Sequence, residues 1–95
     1  MRLRDYLVEI KVVYRGDSTR AVREAVAQLF EYRYFLCEHG PRDTPTGLIA
    51  LFSEPVAPAF PQYLEDIGIA SVWSEDGNWR GSPRAALAGL TSDLT

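Results

Sequence analysis

The sequence predicts a small α/β domain in which strands and helices alternate as βαβαβ. Short runs rich in β-branched and aromatic residues, typical of strands, alternate with two segments whose apolar residues recur every three or four positions. The chain has 95 residues, 46% of them hydrophobic and 24% charged, which suits one globular domain with one core. We therefore expect a single domain over residues 1–95, with a small mixed or parallel sheet flanked by helices.

The first strand is predicted at Tyr6–Tyr14, a segment of mainly β-branched and aromatic residues. Side chains alternate along a strand, so one face would carry Val8, Ile10 and Val12, and the other Leu7, Glu9, Lys11 and Val13. A turn at residues 15–17 follows, and either Asp17 or Ser18 is expected to cap the next helix.

The next segment, from Thr19 to about Glu38, predicts a long amphipathic helix. Its apolar stripe consists of Val22, Ala25, Val26, Leu29, Phe30 and Leu36. The flank of that stripe carries Arg20, Glu24, Gln28, Glu31 and Tyr32. The tripeptide His39-Gly40-Pro41 is a stop signal, because glycine accepts a left-handed cap and proline cannot continue the helix.

The rest of the chain predicts a strand at Gly47–Phe52, a helix at about Pro58–Ile67, a strand at Ile69–Trp73 and a short helix reaching about Leu90. Asp76-Gly77 is typical of a hairpin turn. We expect the flanking Trp73 and Trp79 to pack together, and Ser82 to cap the last helix. The acidic pair Glu65-Asp66 is expected to be solvated.

Composition excludes several classes of site. One cysteine, Cys37, allows no internal disulfide, and with one histidine, His39, it excludes the usual zinc quartets. The net charge of −3 argues against coating nucleic acid through bulk positive charge, although a local phosphate site stays open. No membrane span or export leader is recognisable, so we expect a cytoplasmic protein without a membrane partner.

The basic residues are unevenly distributed by type, since nine of the ten are arginines and only Lys11 is a lysine. Lysine supplies a compact ammonium whose proton affinity responds to burial, whereas guanidinium is broad and stays charged. A single retained lysine is therefore either needed for its chemistry or has merely escaped the arginine bias.

Glu9-Ile10-Lys11 places a carboxylate and an ammonium on the same face of the first strand. This pairing suits metal-assisted phosphodiester hydrolysis, because a hard divalent cation needs carboxylate oxygens and a nearby cation can neutralise charge that develops on phosphorus. The competing interpretation is an ordinary surface ion pair.

Gln28 and Tyr32 lie one turn apart on one face of the following helix. In a βα unit that face can lie over the strand that carries Glu9 and Lys11. Gln28 would then bond a phosphate, a water or the lysine. The alternative is a surface glutamine and an aromatic residue at the edge of the core.

A strand with Glu-x-Lys followed by a helix with Gln-x-x-x-Tyr resembles the PD-(D/E)XK nuclease superfamily, particularly its RecB-like branch. The resemblance implies a three-layer restriction-endonuclease-like core over residues 5–80, followed by a short helix and tail over 82–95. It implies that Glu9 and the Ile10 carbonyl bind Mg²⁺ or Mn²⁺ and that Lys11 is the catalytic lysine. Gln28 and Tyr32 would be the additional catalytic motif of the branch.

The resemblance also implies a second carboxylate, an aspartate on the preceding strand. Asp5 is the only upstream acid, and on the same strand it would lie roughly 13 Å from Glu9, too far to share a cation. The chain thus resembles the C-terminal half of a nuclease core, incomplete at its N-terminus. It would be a fragment, a gene whose start is placed too late, an inactive relative, or a protomer that a second copy or a larger chain completes with the missing strand and aspartate.

Three functions follow as hypotheses. The first is an Mg²⁺-dependent DNA endonuclease, or its truncated remnant, in which Arg80 and Arg84 contact phosphate near the last helix. The second is a non-catalytic nuclease-like module for DNA binding or protein interaction. The third is a small α/β interaction protein whose first strand pairs with a second copy at an exposed edge.

Overall fold

A computed structural model describes residues 2–3, 5–37 and 47–92 of the chain. Its elements are β1 Arg2–Leu3, β2 Tyr6–Lys11, α1 Ser18–Cys37, β3 Gly47–Phe52, α2 Ala59–Asp66, β4 Ile69–Glu75, β5 Asn78–Gly81 and α3 Pro83–Leu87. The α/β class predicted from the sequence is confirmed. None of the described helices has the length and apolarity that a membrane crossing requires.

The strands form one mixed sheet in the order β1-β2-β3-β4-β5. The three central strands, β2, β3 and β4, are parallel, and the short outer strands run antiparallel to their neighbours. Parallel neighbours need a crossover connection, which α1 supplies between β2 and β3 and α2 supplies between β3 and β4.

Helices cover both faces of the sheet. On one face α1 and α2 bury a large cluster whose fully enclosed side chains include Leu29, Phe52, Leu64 and Ile69. On the other face α3 contributes Ala85 to a smaller cluster that is otherwise made of strand residues. The predicted alternation along β2 is confirmed, since Leu7 belongs to the first cluster and Val8 to the second.

Several local signals act as predicted. Strand β3 has the predicted bounds, and α1 begins at Ser18, with the Arg20 backbone N–H donating to Asp17 Oδ1 over 3.1 Å. The hairpin turn has Asp76 and Gly77 at φ angles of 52° and 79°, as a type I′ turn requires. The predicted stop signal at residues 39–41 lies outside the described residues.

Strand β1 was not predicted, because two residues carry no periodic pattern. It pairs Arg2 with Leu7 and Leu3 with Tyr6. Asp5 lies in the connection, exposed, and its carbonyl accepts a hydrogen bond from the Gly47 N–H over 3.2 Å. Asp5 therefore precedes β2 instead of lying on it.

Ser82 lies at the N-cap of α3, as predicted, but its side chain makes no capping hydrogen bond. The Ser82 hydroxyl instead accepts the backbone N–H of buried Ser71 over 3.1 Å. Glu65 of α2 takes over the capping role, because its Oε1 accepts the Arg84 N–H over 3.0 Å and its Oε2 lies 2.6 Å from Arg84 Nε. The expectation of a solvated Glu65 is wrong, since its side chain is only 18% exposed.

The two tryptophans do not pack together as expected. The β4–β5 register pairs Trp79 with Ser74 and Trp73 with Arg80, so the two indoles lie on opposite faces of the hairpin. Trp73 packs against the cluster under α1 and α2. Trp79 lines an apolar groove on the other face.

Replacing Glu65 tests its role as the tie between α2 and α3. We expect Glu65→Ala to lower the free energy of unfolding by about 1–2 kcal/mol, because a helix N–H and the Arg84 guanidinium lose their acceptor. Asp66→Asn is the matched control and should change stability by less than about 0.5 kcal/mol. Urea denaturation of both variants measures the difference, and equal stabilities would contradict the assignment.

Candidate functional site

The single lysine lies between two carboxylates that come from different elements. Lys11 Nζ is 3.5 Å from Glu9 Oε1 on its own strand and 3.7 Å from Glu24 Oε2 on α1. The side chains of Lys11 and Glu9 are only 17% and 15% exposed, so this is not an ordinary surface ion pair. The Glu-x-Lys motif therefore faces the helix, as the sequence predicted.

Local structure explains why these groups meet. Alternation along β2 puts Glu9 and Lys11 on the face that packs under α1. Glu24 lies near the start of α1 and reaches Lys11 with one oxygen, while its Oε1 accepts a hydrogen bond from Arg20 Nε over 3.0 Å. Arg20 and Glu24 are four residues apart and hence neighbours on the helix surface. The result is a chain of four alternating charges across β2 and α1.

The charges keep Glu24 ionised. The hydrogen bond from Arg20 lowers the pKa of Glu24 below its usual 4.5, and the positive charges of Arg20 and Lys11 act in the same direction against a partial loss of solvent. The same hydrogen bond, together with the Glu24 charge, raises the pKa of Arg20.

Gln28 follows Glu24 by one turn on the same side of α1. A helix connecting two parallel strands runs back along the first, and four helical residues advance about 6 Å, nearly the rise of two strand residues. With Glu24 at Lys11, this geometry places Gln28 at the level of Glu9. Its Oε1 is buried and has no hydrogen-bond partner among the described residues.

Tyr32 lies one further turn along α1. Its side chain is 42% exposed, and among the residues that the structure describes it makes no hydrogen bond to Glu9, Lys11 or Gln28. The two residues of the helix motif thus differ in exposure, with the Gln28 oxygen buried and Tyr32 partly in solvent.

A cleft opens between the end of β2 and the start of α1. It has a volume of about 700 Å³, and three cations, Lys11, Arg15 and Arg20, line it together with the carboxylates of Asp17 and Glu24. Three cations and two carboxylates therefore line the cleft, and Glu9 contacts the Lys11 ammonium as a third carboxylate.

The oxygen donors predicted for a divalent cation are the Glu9 carboxylate and the Ile10 carbonyl. The β2–β3 register and the bonds from Asp5 and Lys11 carbonyls to β3 direct odd-numbered carbonyls toward β3. The Ile10 carbonyl therefore points to the opposite edge of β2, beyond the two residues that β1 covers. Among residues 2–3, 5–37 and 47–92, no group of three His, Cys, Asp or Glu side chains is arranged to hold a metal.

The predicted phosphate contacts lie away from this site. Arg80 is exposed on β5, three strands from β2 and hence about 14 Å across the sheet. Arg84 lies on the face of the sheet opposite α1, and its guanidinium is engaged by Glu65. Neither arginine lines the cleft at Lys11.

Sequence reasoning did not select Glu24 or Arg20 as site residues. A signal was present, because Glu24, Gln28 and Tyr32 recur every four residues and Arg20 continues the same row. Only the contact with Lys11, thirteen positions away, distinguishes Glu24 from an ordinary surface glutamate.

Comparisons with protein-family models, with curated proteins and with solved structures found no match to this chain.

Removing the Arg20 guanidinium tests the charge chain. We expect Arg20→Gln to raise the Glu24 pKa toward 4.5, because the hydrogen bond is its largest cause of lowering. The stability that ionised Glu24 contributes is present above the usual carboxyl pKa and is lost as pH falls through the lowered value. NMR titration of the glutamate carboxyls measures the shift. Arg23→Gln removes an equal charge from the neighbouring position, and a shift of the same size there would contradict a specific Arg20 contact.

Gln28 offers a test of whether its amide is kept for function. A buried oxygen without a partner costs stability, so Gln28→Met should leave the free energy of unfolding unchanged or raise it by about 1 kcal/mol. Urea denaturation measures this change. A loss of 2 kcal/mol or more would show that the amide is structural.

Proposed function

We propose that this chain carries the strand–helix half of a PD-(D/E)XK-type nuclease core and hydrolyses phosphodiester bonds of DNA with Mg²⁺ or Mn²⁺. The observation that carries the proposal is the position of the one lysine, held between Glu9 and Glu24 and lining a cleft that also contains Arg15 and Arg20. The unpartnered amide oxygen of Gln28, at the level of Glu9, adds a polar group that has no structural bond to explain it.

Lys11, Gln28 and Tyr32 would have different roles in hydrolysis. Water adds across a P–O bond: its oxygen bonds to phosphorus, the ester P–O bond breaks, and the leaving oxygen takes up a proton. Lys11 would neutralise the charge that builds on the phosphoryl oxygens or hold the attacking water, in a partly desolvated position where electrostatic effects are strong. Gln28 would orient the water or the scissile phosphate, and Tyr32 would contact the strand at the solvent side.

A divalent cation fits the donors in kind, since a carboxylate and a carbonyl are the oxygen ligands that Mg²⁺ prefers. Glu9 and the Ile10 carbonyl would hold it, and when bound it would supply charge neutralisation at the phosphate. The described residues supply too few protein ligands for a complete site. The proposal therefore requires a further carboxylate from another polypeptide segment.

The outer edge of β2 is a suitable place for that segment. The described residues of β1 pair with Tyr6 and Leu7, and no described strand pairs with β2 next to the Ile10 carbonyl. A strand of a larger chain or of a second copy of this protein that paired there would lie beside Glu9, and an acid on it would reach the same cation. DNA and such a segment are the partners that this proposal implies.

A second candidate is a nuclease-like module that binds DNA or protein without cleaving. The observation that favours it is the saturation of Lys11, whose ammonium already has two carboxylate partners. On this hypothesis the paired lysine joins β2 to α1 and contacts no substrate. In that case Glu9→Gln would change stability and nothing else.

Cleavage of supercoiled plasmid in the presence of Mg²⁺ or Mn²⁺ tests the proposal. We expect nicking by the chain, as a dimer or together with the segment that supplies the further carboxylate, and a loss of at least about 100-fold in Lys11→Ala, because the transition state loses its neutralising cation. Circular dichroism and thermal unfolding establish that the variant remains folded. Arg23→Gln is the matched control, since it removes a cation from an exposed position of α1 that does not line the cleft.

Two outcomes would contradict the catalytic mechanism. Equal cleavage by the folded Lys11→Ala variant would exclude lysine from the reaction. A purified chain that neither nicks DNA nor binds Mn²⁺, alone or with a strand-supplying partner, would favour the non-catalytic module.

A further inference from the structure

The carboxylate of Glu24 has the surroundings that a phosphate would have in the cleft. One oxygen lies 3.0 Å from Arg20 Nε and the other 3.7 Å from Lys11 Nζ. Arginine and lysine are the side chains that proteins use to bind phosphate, arginine as a planar fork and lysine as a compact point charge. The Glu24 carboxylate therefore occupies the position from which an anionic ligand would contact both Arg20 and Lys11, in a cleft that also contains Arg15.

Glu24 is also free to move away. Its side chain is 45% exposed and that of Arg20 78%, so the ion pair between them lies at the surface and contributes little to the free energy of unfolding. Lys11, by contrast, is largely enclosed and fixed by Glu9. The helix can therefore turn the Glu24 side chain into solvent without disturbing the core, and both cations then become available to another anion.

We infer that Glu24 is an internal substitute for a substrate phosphate: it neutralises Lys11 and Arg20 in the free protein, and a nucleic-acid phosphodiester binds the cleft by displacing it. The inference rests on the proposed function for the class of ligand, a polynucleotide phosphate, but not on cleavage. Its consequence is that Glu24 weakens substrate binding, because any anion must compete with this carboxylate for Lys11 and Arg20.

Glu24→Gln is the direct test, and Glu31→Gln is its matched control. Both variants remove one negative charge from α1, but Glu31 is exposed and does not line the cleft. Binding of a fluorescent DNA oligonucleotide is measured by anisotropy in EDTA, where cleavage cannot interfere. We expect Glu24→Gln to bind about 5–10-fold more tightly than Glu31→Gln at low salt, and its log K against log salt plot to steepen by about 0.7–1.8, the value for one or two further phosphate contacts.

The double variant Lys11→Gln, Glu24→Gln identifies where the gain arises. If the ammonium that Glu24 covers is the binding group, the double variant loses most of the gain. Because Lys11 is the only lysine, selective ¹⁵Nζ labelling gives one side-chain lysine signal, which should shift on titration with oligonucleotide in Glu24→Gln at lower concentrations than in the natural protein.

Inorganic phosphate provides the second arm of the experiment. Binding of oligonucleotide with only weak phosphate binding supports a polynucleotide site, whereas tight phosphate binding without oligonucleotide binding would overturn that ligand class. Equal affinities of the Glu24→Gln and Glu31→Gln proteins would overturn the inference itself. If no cleavage were observed with Mg²⁺ or Mn²⁺, the difference in binding between the two variants would still be expected. The proposed nuclease activity and the role of Glu24 are therefore tested independently.

Discussion

Two charged side chains on the buried face of a strand impose the main constraint on this molecule. Alternation along β2 puts Glu9 and Lys11 beside Leu7, on the face that α1 covers, and their side chains are at most 17% exposed. Charges in such positions are costly unless they are paired. The start of α1 supplies the pairing through Glu24, which Arg20 in turn holds. An apolar pair at these positions would pack as well without four charges, and this excess of polarity is the reason to look for chemistry here.

Around α3, on the other face of the sheet, polar side chains bond to the backbone and to one another. The Glu65 side chain extends from α2, accepts the Arg84 N–H at the start of α3 and forms an ion pair with the Arg84 guanidinium. The Ser82 hydroxyl accepts the backbone N–H of Ser71. Here too a buried oxygen, Ser71 Oγ, has no hydrogen-bond partner among the described residues, as Gln28 Oε1 has none on α1.

The two proposals give Glu24 and Glu9 different roles although both contact the same ammonium. Glu9 shares a strand with Lys11, and its side chain is only 15% exposed, so it is more enclosed than Glu24. Glu24 is exposed and attached to a surface arginine, so it can leave. In such a site Lys11 stays paired with Glu9, and its ammonium binds a ligand only if that ligand displaces the Glu24 carboxylate. That arrangement suits a polyanion, which brings several phosphates at once.

The sequence by itself determined the elements whose signals are local: the alternation of β2, the periodic stripe of α1, the apolar run of β3 and the Asp76-Gly77 turn. It also indicated Glu9, Lys11 and Gln28 as candidate site residues, because the two-residue period of a strand and the 3.6-residue period of a helix predict which side chains share a face. Only the tertiary structure decided the contacts between elements. Glu24 reaches Lys11, Glu65 caps α3 and the tryptophans separate because strand register and helix docking set these distances, and no local pattern encodes either.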